Sequence, residues 1–186
     1  MTQIKYVKTP LSEDVVMELK AGEHVLLTGT IYTARDAAHK KLVELIERKE
    51  PLPIPLKGQI IYYVGPTPAP PRRPIGAAGP TTSSRLDPYT PKLLSAGLKG
   101  MIGKGKRGKE VIEAIKKYKA IYFVTIGGAG ALLSKCVLKS KVVAYPELGP
   151  EAIYELDVKD FPLFVANDTK GNDLYEIGRK QYEIKD

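Results

Sequence analysis

Arginine, lysine and threonine recur where three strand-to-helix connections are expected: Thr33 to Asp36 with Arg35, Thr81 to Asp87 with Arg85, and Gly103 to Lys109 with Lys104. The first N–H groups of a helix lack intrahelical partners and sit at the positive end of its dipole, so such turns attract anions. An arginine there adds a planar fork that matches a carboxylate with two parallel bonds. Converging Arg35, Arg85 and Lys104 would make a site for a small dicarboxylate. Each also has a plainer role open to it. Arg35 serves equally well as a solvated or salt-bridging residue, the Gly79 to Arg85 run as a hydrogen-bonded turn, and Lys104 to Lys109 as a nucleic-acid patch. His39 follows Asp36 by three residues on one helix face, a spacing that lets carboxylate and imidazole hydrogen-bond and hold one tautomer behind the site.

The elements that must position these groups alternate short β-branched runs with helical segments, which makes the class α/β. His24 to Ile31 reads as a strand and Asp36 to Lys49 as a helix with Ala38, Leu42, Leu45 and Ile46 on one face. Thr33 and Asp36 are expected to cap that helix. Gln59 to Val64 is a second strand, followed by an irregular Pro- and Gly-rich stretch over 65–80. Asp87-Pro88 reads as the start of a helix that carries Leu93 and Leu94 and stops at Gly97, and Val111 to Tyr118 as the next helix. Strands are expected at Ile121 to Ile126, Lys141 to Tyr145 and Leu163 to Ala166, with a helix over Glu151 to Leu156 between the last two. Gly127 to Gly130 lacks the spacing of a dinucleotide loop and reads as close packing ahead of a helix in which Cys136 is a buried small apolar residue.

Composition narrows the chemistry. A chain of 186 residues, 43% apolar, buries a core of its own and reads as one domain. No run reaches the roughly 18 apolar residues of a membrane span, and no apolar segment ahead of a cleavage site opens the chain, so a cytoplasmic protein is expected. One cysteine and two histidines, His24 and His39, are too few to hold an iron-sulfur cluster or a closed zinc site. A redox or Lewis-acid metal must then come from another chain, unless carboxylates bind a hard cation. The net charge of +8 is uneven: Lys99 to Lys119 holds eight basic residues against Glu110 and Glu113. Such a cluster favours nucleic acid, an acidic partner or small anions.

Longer blocks are more specific. Tyr32 to Lys40 (YTARDAAHK) resembles the TGRDAAHK segment of class I fumarases, with Ala34 where that family usually has Gly. Ile60 to Pro66 is similar to its IYYVGP block, and Gly76 to Thr82 with Arg85 and Asp87 to its GPAGPTTxxRMD block, Leu86 replacing Met. Gly100 to Gly105 matches its lysine loop and Tyr145 to Ile153 its YPELGxEAI block; Asp160 to Pro162 and Lys170 to Asp173 complete the order. The resemblance implies a swivelling β/β/α domain, single and compact over 1–186. It implies pairing with an alpha subunit that carries a [4Fe-4S] cluster on three cysteines, this chain binding no metal. A chain that starts at Met1 without the cysteine-bearing half is expected to be the separate beta subunit, inactive alone.

Carried over by position, Arg35, Arg85 and Lys104 correspond to residues that contact substrate carboxylates, and Thr81 to the proposed base for the carbon-bound proton. Asp36 and His39 support them. The implied reaction is reversible hydration of fumarate to (S)-malate, with L-tartrate dehydration as the alternative, since the two substrates share the groups these cations bind. Lys106 stands where related sequences are expected to have Asn. Against a nucleic-acid module, the basic window has only Tyr118 to stack on bases. A self-sufficient enzyme using a hard divalent cation is the third reading, and sensitivity of the isolated chain to chelators separates it.

Overall fold

The computed structural model describes residues 4–184. Its strands are β1 (Lys5–Lys8), β2 (His24–Thr33), β3 (Ile60–Tyr62), β4 (Gly100–Gly103), β5 (Ile121–Val124), β6 (Val137–Ala144) and β7 (Ile153–Asn167). Its α-helices are α1 (Glu13–Glu18), α2 (Asp36–Arg48), α3 (Thr90–Ser95), α4 (Lys109–Tyr118), α5 (Gly130–Leu133) and α6 (Leu174–Tyr182), with 3-10 turns at Ser83–Leu86, Ser134–Cys136 and Pro146–Glu151.

β2, β3, β4 and β5 pair in that order, all parallel. The 15-residue β7 runs antiparallel to both β5 and β2, so the ladder returns to the strand from which it began. β1 extends it alongside β2, and β6 lies on β7. Strand residues alternate between two cores, as a sheet covered on both faces requires. Ile60, Tyr62 and Val64 join Leu27, Ile31, Phe123, Phe161 and Leu163 in the core enclosed by the ladder. Ile61 and Tyr63 join Leu42, Leu93, Val111 and Ile115 in the core beneath α2, α3 and α4.

Parallel pairing places the carboxyl ends of β2, β3, β4 and β5 at one edge. The segments leaving that edge begin at Ala34, Tyr63, Lys104 and Thr125. This is where ligands bind in sheets of this kind, because helix N-termini and free backbone groups collect there.

Several expectations change. Glu151 to Leu156 is not a helix: Gly149, at φ +56°, breaks the 3-10 turn, and Ile153 begins β7. The apolar spacing of Ile153 and Leu156 imitates a helix, but cross-strand pairing with β2 and β6 settles the conformation. Asp87 follows the 3-10 turn and does not start α3, whose first residue is Thr90. The expected strand at Leu163 to Ala166 is the end of a much longer one. β1, α1 and α6 had no counterpart in the sequence reading. Cys136 is half-buried, its Sγ 3.9 Å from the Asp160 carbonyl oxygen, and burial pushes its thiol pKa up. The 65–80 stretch carries no helix or strand, as expected, and Pro68 to Pro74 is exposed. Among the described residues no helix is long and apolar enough to cross a membrane.

Candidate functional site

Arg35 follows β2 after Ala34 and occupies the N-cap position of α2 with extended backbone, φ −119° and ψ −160°. Its side chain lies along Gly65, just beyond β3. A Cβ at Gly65 would stand 2.8 Å from Arg35 Nη1 and 3.1 Å from its Cδ, so a bare Cα makes room for the guanidinium. Arg35 caps nothing with its own side chain. The cap comes from Glu151, whose Oε2 accepts the Ala37 N–H at 3.1 Å, while its Oε1 stands 3.4 Å from Arg35 Nη2. Thr33, expected to cap, is consumed within the sheet: its hydroxyl donates to Ala152 O and accepts from Tyr154 N.

Asp36 joins two of the expected residues. Its Oδ2 lies 3.9 Å from Arg35 Nη2 and 3.4 Å from Arg85 Nη2. Two guanidinium groups from separate segments thus converge on one carboxylate oxygen. Arg35 Nε is buried with no acceptor among the described residues. Arg85 stands in the 3-10 turn with its side chain 49% exposed.

Thr81 and Lys104 flank that turn. Thr81 doubles onto the end of β3, its N–H and its hydroxyl both donating to Tyr63 O at 2.8 and 3.0 Å. Thr82 bridges Lys104 in parallel register, Ser83 N donates to Lys104 O at 3.0 Å, and Lys104 N donates to Ser83 Oγ at 3.1 Å. The backbone of the Lys104 loop is thereby fastened to the segment bearing Thr81 and Arg85. The Lys104 side chain is exposed and runs over Gly127, where a Cβ would stand 3.8 Å from Nζ. It forms no ion pair among the described residues, whereas Arg35 and Arg85 both do. Gly130 supports this edge from below: its backbone packs on Gly79 so closely that a Cβ would meet Gly79 N at 2.8 Å.

His39 is fully buried and does not pair with Asp36. Its Nδ1 donates to the Arg35 carbonyl at 2.9 Å, and Nε2 has no partner among the described residues. Burial lowers its pKa to about 4, with the nearby Arg107 cation acting in the same direction, so the ring is neutral at pH 7. The expected Asp36–His39 hydrogen bond is replaced because the two arginines outside the helix attract the Asp36 carboxylate, while the buried ring faces Tyr63.

Arg107 was not singled out, and it underlies the site. Its side chain is wholly buried between the Tyr63 and Tyr122 rings, its Nε donating to Asp87 Oδ1 and its Nη2 to Thr90 Oγ1, both at 2.7 Å. Burial alone would lower its pKa; Tyr63, Asp87 and Tyr122 outweigh this and raise it. Tyr122 OH reaches both Ser83 Oγ and Gly105 O, linking Arg107 to the Lys104 loop. Of the other basic residues, Lys99 is spent on the C-terminal carbonyls of α4, and Lys106 pairs with Glu176.

The three cations share the edge formed by the ends of β2, β3 and β4. Cavities of about 320 and 560 Å³ lie elsewhere, against Pro74 and Ser140, and neither is lined by Arg35, Arg85 or Lys104. No group of three or more His, Cys, Asp or Glu among the described residues is arranged to hold a metal.

The match to the family described as fumarase C-terminus covers residues 2–178. The chain is 45% identical over 152 residues to the anaerobic class I fumarate hydratase of Escherichia coli, covering 81% of this chain and 28% of that protein. It is 43% identical over 156 residues to fumarate hydratase 2 of Leishmania major, again 28% of the relative. It thus spans under a third of the fumarate hydratases it matches. A protein of Methanocaldococcus jannaschii, provisionally named L(+)-tartrate dehydratase subunit beta, is 37% identical over 191 residues, and there the match takes in 97% of this chain and 96% of the relative.

Proposed function

This chain belongs to the fumarase C-terminus family, and we propose on that premise that it is the beta-type subunit of a hydro-lyase that reversibly hydrates fumarate to (S)-malate. The observation that carries the site is the convergence of Arg35 and Arg85 on one carboxylate oxygen, beside an exposed Lys104 that forms no ion pair among the described residues.

In the dehydrating direction a proton leaves the carbon next to one carboxylate, its electron pair moves into that carboxylate, and hydroxide leaves the neighbouring carbon. Charge accumulating on the carboxylate oxygens needs donors already in place. Arg35, Arg85 and Lys104 supply them, and loss of one such donor typically costs about 2.7–4 kcal/mol in activation free energy. Thr81 is assigned to the carbon-bound proton. Its hydroxyl donates to Tyr63 O, a bond that keeps the proton on oxygen; to take the carbon-bound proton Thr81 must first release that hydroxyl proton to solvent, and the neighbouring cations favour the alkoxide so formed.

The iron-sulfur cluster that the resemblance implies does not fit this chain. Its single cysteine, Cys136, is held near Asp160 in the turn before β6, outside the cationic loops. We assign the cluster to a partner alpha subunit that covers the exposed edge, and the swivelling β/β/α description to the domain formed by this chain. A cytoplasmic hetero-oligomer, inactive without its partner, follows from that assignment. Full-length similarity to the protein of M. jannaschii supports L-tartrate dehydration as the second reading.

Anaerobic mixing with the matching cluster-bearing chain tests the proposal. Fumarate hydration should appear only in the mixture, and Arg85→Ala should lower kcat/KM by about 10²–10³-fold. Full activity with Arg85→Ala rejects the site. A larger kcat/KM for L-tartrate than for malate selects the second reading.

A further inference from the structure

Glu151 lies within the Tyr145 to Ile153 block, a part of the sequence to which the proposed reaction assigns no task. In the fold it makes two contacts at once. Oε2 accepts the Ala37 N–H in the first turn of α2, and Oε1 faces Arg35 Nη2 at 3.4 Å. Among the described residues no other side chain accepts a first-turn N–H of α2. The Arg35 guanidinium meanwhile rests on Gly65, and the point a Gly65 Cβ would occupy is 3.3 Å from the Pro150 carbonyl oxygen, one residue before Glu151. The guanidinium is bounded on one side by backbone and on the other by this carboxylate.

We propose that Glu151 is a positioning residue that fixes the Arg35 guanidinium at the N-terminus of α2 for the carboxylate of the substrate, an inference that rests on the reaction proposed above. A single carboxylate tying the helix end to the arginine couples the direction of the fork to that of α2, and the guanidinium is the donor left to meet an anion. Arg35 makes ion pairs with Glu151 and Asp36 at 3.4 and 3.9 Å, and these restrain the guanidinium. Restraint of this kind lowers the ordering that substrate binding would otherwise require.

The neighbouring Glu147 provides the control. It stands in the same 3-10 turn and also reaches α2, with Oε1 3.0 Å from Lys41 Nζ, away from Arg35. Glu151→Gln keeps a carbonyl oxygen for the Ala37 N–H and removes the charge beside Arg35. In the complex with the cluster-bearing chain, Glu151→Gln should lower kcat/KM roughly 10-fold, chiefly through KM, while Glu147→Gln changes it less than about twofold. On the full chain alone, side-chain NMR should show hindered rotation of the Arg35 guanidinium in wild type and faster rotation in Glu151→Gln, with the same melting temperature. Unchanged rotation and unchanged kcat/KM in Glu151→Gln overturn the inference, as does an equal loss in Glu147→Gln. An inactive wild-type mixture defeats the proposed reaction instead, and the NMR comparison then decides the role of Glu151 alone.

Discussion

Arg107 and Arg85 stand in adjoining parts of one fold and are used in opposite ways. Arg107 is enclosed by two aromatic rings, and Asp87, Thr90 and Tyr63 take up its donors. Arg85 is half exposed and held by a single ion pair at 3.4 Å. A buried guanidinium must be satisfied by protein groups or it opposes folding. One at the rim stays hydrated, can be left under-satisfied at little cost, and so keeps donors for a ligand. The contrast teaches that the chemically available cations here are those with poor internal partners.

The largest effect should come from breaking the satisfied one. Arg107→Ala opens a void between the Tyr63 and Tyr122 rings, leaves the half-buried Asp87 with the Gly108 N–H, and should cost about 2–5 kcal/mol, read as a lower urea midpoint. A midpoint unchanged from wild type would erase the distinction between the two arginines. His39, whose ring contacts the Arg35 carbonyl and senses Arg107, sharpens it next. Its folded pKa of about 4 lies below the ordinary 6.5, so the unfolded chain takes up the proton first. The His39 contribution is therefore constant above pH 6.5 and declines between pH 6.5 and 4, by roughly 3 kcal/mol in all. Relative to His39→Asn, wild type should lose stability across that window; parallel pH curves would show that the ring is not held neutral.

Arg85→Ala should shift stability by less than about 1 kcal/mol despite its large effect on turnover, because an exposed ion pair contributes little. A loss as large as that of Arg107→Ala would make Arg85 a structural residue. Smallest of all, Lys106→Asn removes an exposed pair with Glu176 and should leave the melting curve superimposable on wild type. A clear shift there would assign the Lys104 loop's stability to α6.

How much could be read in advance depended on the distance over which each feature was decided. The strands at His24, Gln59 and Ile121 and the helices at Asp36 and Val111 are visible because β-branched alternation and apolar faces are local patterns. Glu151 was not, because it caps a helix 114 residues earlier in the chain. Asp87 illustrates the opposite error. Asp-Pro is a sound helix start by local rules, yet the carboxylate is taken by Arg107 Nε and Gly108 N, both at 2.7 Å. The length of β7 was hidden for a similar reason, since Asp160 at positive φ and Pro162 interrupt the alternation while pairing with β2 continues on either side.

The order of motifs, the scarcity of metal ligands and the identity of the cations at the turns were determined by the sequence itself, since each is a matter of residue type and spacing. Which cations stay available was decided by the tertiary structure alone. Burying Arg107 and aligning the ends of β2, β3 and β4 depend on strand pairing between distant segments, and no local pattern encodes which guanidinium will find its partners inside.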